Sequence, residues 1–96
     1  MVASTTVRLH QSRPNPFNPR TTIHFELPHS GAVDLAVFDV AGRRVATLAS
    51  GAMEPGRYDV AWEGRDDAGL PVAGGLYFYQ LVTDGKTLTK KMVMLK

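Results

Sequence analysis

Apolar and polar positions alternate with period two along most of this chain, the pattern of strands half-buried in a sheet. In "TVRL" the apolar positions are Val7 and Leu9, and in "TTIHFEL" they are Ile23, Phe25 and Leu27, with His24 and Glu26 on the opposite face. "AVDLAVFDV" sets Val33, Leu35 and Val37 against Asp34 and Ala36, and "RRVATLA" carries Val45 and Leu48. "RYDVAWEG" aligns Tyr58, Val60 and Trp62 against Arg57, Asp59, Ala61 and Glu63. "LYFYQLV" divides into Tyr77, Tyr79 and Leu81 against Leu76, Phe78 and Val82, and "TLTKKMVMLK" ends in an apolar run from Met92 to Leu95. These segments make seven predicted strands in 96 residues, a spacing typical of antiparallel sandwiches and small barrels. No segment has helical periodicity with caps at both ends, so the predicted class is all-β.

The breaks between strands agree. "PHSG" at residues 28–31 separates the second and third strands, and "VAGRRV" puts Gly42 where a tight hairpin needs a positive φ. "MEPG" turns at Pro55 and Gly56, "RDDAGLP" is a longer connection, and "DGK" predicts a two-residue hairpin at Asp84 and Gly85.

"RPNPFNPR" crowds Pro14, Pro16 and Pro19 around Phe17, with Asn15 and Asn18 between them. Each proline fixes its own φ and pushes the residue before it toward extended geometry, which makes the stretch rigid without strand pairing. The expectation is a stiff corner that carries the chain from one sheet to the other and holds Phe17 over the open end of the core. Residues 1–12 then form a first strand or linker, and residues 13–96 the domain proper.

Composition adds limits. With 44% hydrophobic and 21% charged residues the chain has the apolar content of a folded domain, though a small core. The net charge of +2 is spread along the chain and is no nucleic-acid footprint. Only the final stretch leans one way, with Lys86, Lys90, Lys91 and Lys96 and no acid, as suits an edge strand blunted by lysines. There is no cysteine, hence no disulfide or thiolate metal site. No apolar run reaches the ~20 residues of a membrane span, so no membrane insertion is expected. The opening "MVASTTVRLH" lacks a secretory signal, so if the protein is exported Met1 marks where a longer chain was cut.

Candidate chemistry is sparse. Of His10, His24 and His29, only His24 shares a strand face with a second donor, Glu26; no third ligand is evident, and no metal is expected. The loop "EGRDDAG" (Glu63, Asp66, Asp67) lacks the alternating acid spacing of a calcium loop, and Asx turns explain it better. No serine sits in a nucleophile elbow, and Gly74 and Gly75 precede a strand instead of opening a phosphate-binding helix. A sugar-binding row of Tyr58, Trp62, Tyr77 and Tyr79 would have to face solvent, whereas the alternation turns these side chains inward. No catalytic residue, cofactor or small-molecule substrate is therefore assigned, and a binding or structural module is the expected class.

"PNPFNPRTTIHFELP", "VFDVAGRRVATL", "GRYDVAWEGRDDAGLPVAGGLYFYQL" and "KKMVMLK" together resemble the type A C-terminal sorting domain of type IX secretion cargo and the related immunoglobulin-like domain of flagellar hook-capping proteins. The resemblance runs from about Leu9 to Lys96 and includes Gly42, Trp62 and Gly64 within its motifs. It implies an immunoglobulin-like sandwich closed by packing alone, located at the C-terminus of a larger secreted or cell-surface protein. It further implies that the outer-membrane export machinery reads the final segment, here Lys90, Lys91, Met92, Val93, Met94, Leu95 and Lys96, with Lys96 the native end. The alternative is a structural subunit or cap of an extracellular filament or hook-like assembly. There the opening "VASTTVRLHQS" would add as a strand to a neighbouring subunit.

Overall fold

The strands that alternation predicts assemble into two facing antiparallel sheets in a computed structural model that describes residues 6–95. The strands are β1 (Arg8–Leu9), β2 (Thr21–Leu27), β3 (Gly31–Phe38), β4 (Arg44–Met53), β5 (Gly56–Trp62), β6 (Gly75–Thr83) and β7 (Lys86–Met94). The small sheet has the order β1-β2-β5 and the large one β4-β3-β6-β7, so β1, β5, β4 and β7 are the edges. The immunoglobulin-like sandwich expected from the sequence is therefore present, with no helix among the described residues.

The inward rows are those the period-two pattern selects. Ile23, Phe25 and Leu27 from β2 meet Val33, Leu35 and Val37 from β3 and Tyr77, Tyr79 and Leu81 from β6, all buried. Trp62 closes one end against Phe17 and Tyr77, with ring centroids 5.8 and 5.2 Å away, and its indole N–H donates to the Arg65 carbonyl. The two predicted hairpins form. Gly42 has φ +84° between β3 and β4, and Asp84 (φ +53°) with Gly85 (φ +71°) turns β6 into β7.

β4 departs from simple alternation, and its register explains why. Leu35 pairs with Ala49 and Ala36 with Thr47, which leaves Leu48 without a β3 partner; Val37 pairs with Ala46 and Phe38 with Arg44, which leaves Val45 without one. These two β-bulges rotate the strand twice, so Ala46 takes the buried core position while Val45 and Leu48 lie half-buried against the core's margin. Ala36, expected on the outer face, is buried as well: it lies on a central strand at the first bulge, between Thr47 and Gln80.

The proline corner also differs from expectation. It leaves β1 and returns to β2 of the same sheet, so it does not carry the chain between sheets. Nor does it stand without pairing. Prolines flank Phe17 but leave its own N–H free to donate, and Phe17 forms a parallel bridge to Met94 of β7. Arg13 is bridged to Thr22, and the Thr21 hydroxyl donates to the Pro14 carbonyl. The corner thus laces the edge of the large sheet to the small one. Phe17 is 1% exposed, in keeping with its expected place over the end of the core.

Candidate interaction surfaces

β7 is an edge strand whose outward-pointing backbone groups belong to odd-numbered residues, and the corner covers its C-terminal half. Gln11 Nε2 donates to the Lys91 carbonyl at 2.9 Å, and the Val93 N–H donates to Asn15 Oδ1 at 2.9 Å. The Phe17 N–H donates to the Val93 carbonyl at 3.0 Å and the Leu95 N–H to the Phe17 carbonyl at 2.7 Å. Asn15 therefore acts as a backbone mimic, in register with the bridge that Phe17 makes. Gly64 permits this closure: its φ is +70°, and a Cβ there would stand 2.8 Å from Met94 Sδ and 3.3 Å from the Pro19 carbonyl oxygen.

The terminal segment that the sequence marked as one recognition element is divided by the pleat. Met92 and Met94 are core side chains, whereas Lys91, Val93 and Leu95 are exposed. Lys90 and Lys91 point to opposite faces. Lys91 lies opposite Phe78 on the outer face of the large sheet, and Lys90 sits half-buried at the groove between β7 and β1. Val93 lies opposite Leu76, each 38% exposed, and this cross-strand pair continues to Leu95 as an accessible apolar strip beside Lys91. Lys96 falls outside the described residues.

Residues 7–12 are engaged with the rest of the fold. Val7 and Leu9 are buried, Arg8 pairs with Glu26, and the Ser12 N–H donates to the Tyr79 hydroxyl, which in turn donates to the His10 carbonyl. Burial is the main cause that raises the pKa of that phenol. Tyr79 was legible as a core residue, but its hydroxyl's link to the N-terminal strand, 69 residues away, had no local signal.

On the outer face of the small sheet, side chains form a polar grid. Glu26 stands opposite Arg8 and Arg57, and His24 opposite Asp59. The His10 N–H donates to the His24 carbonyl, so the two residues lie opposite one another where β1 ends beside β2. His10 Nε2 contacts Glu26 Oε2 at 2.8 Å, and this hydrogen bond is the leading reason the Glu26 carboxyl titrates below its ordinary range. His24 Nδ1 contacts Asp59 Oδ1. These groups line an open cleft of about 340 Å³. Among the described residues no three His, Asp or Glu side chains form a metal cluster.

The acidic loop is used for its own turn. Asp66 Oδ1 accepts from the Ala68 and Leu70 N–H groups, an Asx turn, and Asp67 Oδ1 accepts from the Thr47 N–H, pinning the loop to β4. Trp62, Tyr77 and Tyr79 are buried and Tyr58 is stacked on Phe25, so they make no solvent-facing aromatic row.

A model of the FlgD Ig-like domain matches residues 15–86. Among solved structures, the chain superposes on dimeric latent PorU from Porphyromonas gingivalis with a TM-score of 0.74 at 20% identity, over 98% of this chain and 10% of that one. FlgD from P. aeruginosa matches with a TM-score of 0.60 at 27% identity, over 77% of this chain and 59% of that one. PorZ, a surface component of the type IX secretion system of P. gingivalis, matches with a TM-score of 0.60 at 19% identity, over 92% of this chain and 11% of that one. No curated protein matches. The chain thus spans about a tenth of PorU and PorZ and about three-fifths of FlgD.

Proposed function

Since this chain belongs to the FlgD Ig-like domain family, we propose that it is a non-catalytic module that directs a larger secreted protein through the type IX export route and onto the cell surface. The observation that carries this reading is the superposition of 98% of the chain on a small part of PorU, together with a final strand docked by its own proline corner. A unit with its own core that displays only part of its last strand suits recognition by another protein. Among the described terminal residues, Lys91, Val93 and Leu95 are exposed to a partner and Lys90 is half-buried, whereas Met92 and Met94 serve the core. The partner in this reading is the outer-membrane export machinery.

The test is a fusion of residues 1–96 to a periplasm-competent reporter in a host with a type IX system. Reporter at the cell surface or in the medium supports the proposal, and reporter retained in the periplasm overturns it.

The match to FlgD favours a second reading, a structural subunit or cap of an extracellular assembly. Light scattering across a concentration series separates the two, since a subunit forms large species as concentration rises and a portable tail remains a monomer. Strand addition by residues 7–12 would require that stretch to leave β2 and expose Val7 and Leu9.

A further inference from the structure

The outer faces of the two sheets differ in kind. An outward row is ordinarily polar, and the small sheet conforms, with Thr22, His24 and Glu26 on β2 and Arg57 and Asp59 on β5. The outward row of β6 is instead Leu76, Phe78, Gln80 and Val82, apolar at all positions but one. The strand register extends it sideways. Arg44, Phe38, Phe78 and Lys91 stand opposite one another in a single row that crosses the large sheet from edge to edge, and Leu76 stands opposite Val93. The two phenylalanines are half-buried and line a shallow groove of about 320 Å³ together with Val40, which is 70% exposed. Val93 and Leu95 continue this apolar surface along the end of β7.

Charge selects the occupant. Asp34 accepts two hydrogen bonds from Arg44, at 3.0 and 3.2 Å, and Asp39 is paired with Arg43 at 3.1 Å, so the acids beside this surface are already matched by arginines. Arg44 is also held over the Phe38 ring, 5.3 Å from its centre. Lys91 is exposed and has no ion pair among the described residues. Among those residues the uncompensated charge of the surface is therefore the Lys91 ammonium, at the margin of an apolar strip. A second copy of the chain would set against it a surface with no spare acid.

We propose that the outer face of the large sheet is the surface through which the export machinery reads this module, and that the partner supplies a segment of apolar side chains with a carboxylate placed to pair with Lys91. The proposal rests on the export reading above and adds to it Leu76 and Phe78, on a strand outside the terminal segment. Apolar side chains desolvate the centre of such a contact, while an ion pair at its rim fixes register and rejects partners of the wrong charge. The proline corner holds the surface in shape: the Val93 N–H on Asn15 and the Leu95 N–H on Phe17 fix the strand end that the partner meets.

The experiment compares single variants with the parent in the reporter fusion of residues 1–96 in a type IX host. Leu76→Ser and Phe78→Ser should each lower the fraction of reporter delivered to the surface at least about fivefold, as the loss of a central interface contact does. Lys91→Glu should lower it about tenfold, whereas Lys91→Arg should match the parent. Lys86→Glu, the same charge change at the other end of β7, should leave delivery unchanged. The Tm of each purified variant shows whether it is folded, and Phe78→Thr serves in place of the serine variant if that one unfolds. A parent fusion retained in the periplasm overturns the export reading and this proposal with it. A delivered parent, with folded Leu76 and Phe78 variants delivered equally well, overturns this surface and leaves the export reading standing. Delivery of Lys91→Glu at the parent's level, or an equal loss in Lys86→Glu, overturns the acidic partner.

Discussion

Replacing Phe17 by alanine tests whether the proline corner is a stapled part of the core or a loose cover over it. The ring is 1% exposed and packs against Trp62, and the backbone around it seals Val93 and Leu95. Burying a phenylalanine side chain is worth about 1.5–3 kcal/mol in transfer alone, and the cavity left by truncation raises the loss to about 3–5 kcal/mol. Little can collapse into that cavity, because Trp62 is held by its bond to Arg65. A domain of this size has roughly 5–10 kcal/mol in total, so the variant loses about half its stability. At about 4–8 °C per kcal/mol, Tm should fall by roughly 12 °C or more. Urea unfolding followed by tryptophan fluorescence reads the change directly, and Phe17→Leu should recover most of it. A loss below about 1 kcal/mol, the range of surface substitutions, would refute the idea that Phe17 anchors the corner.

Gly64→Ala forces a side chain into a left-handed backbone and against Met94 Sδ; it should cost about 1–3 kcal/mol in chemical denaturation. Tyr79→Phe strips the buried Ser12 N–H and the His10 carbonyl of their partner and should cost about 1–3 kcal/mol, with faster amide exchange at Ser12. Tyr79 also predicts an alkaline limit. Its folded-state pKa is raised by burial, so the stability it contributes is complete below about pH 10 and declines as pH rises toward the folded value, a decline that Tyr79→Phe should reduce in Tm-against-pH scans. Asp39 predicts the acid limit. Its carboxylate accepts first from the Arg43 N–H, which lowers its pKa, so its contribution is present above the ordinary carboxylate range and lost as pH falls through the folded value; Asp39→Asn should flatten the acid side of the same scan. Lys91→Glu with Val93→Asp should leave Tm within a few degrees of the parent and reduce surface delivery of a fused reporter, because both side chains point to solvent.

Much of this architecture is written locally. Alternation marks a strand because successive side chains point to opposite faces, and Asp-Gly or a glycine in "VAGRRV" marks a hairpin because only certain residues accept positive φ. Strand number, the inward-facing rows of β2, β3, β5 and β6, the hairpins at Gly42 and Gly85 and the Asx turn at Asp66 were all legible on those grounds. What the sequence could not show was which strand lies beside which, and in what register. That pairing decided that Val45 and Leu48 are bulge residues, since a bulge is a mismatch between two strands and exists in neither alone. It decided that the proline corner returns to its own sheet and hooks β7 through Asn15 and Phe17, and that Lys90 and Lys91, adjacent in the chain, serve opposite faces. It also assembled His10, His24, Glu26 and Asp59 on one surface from β2, β5 and the segment after β1. Backbone geometry and side-chain alternation act over a few residues and can be read along the chain; contacts made across tens of residues depend on the register that the packed core selects.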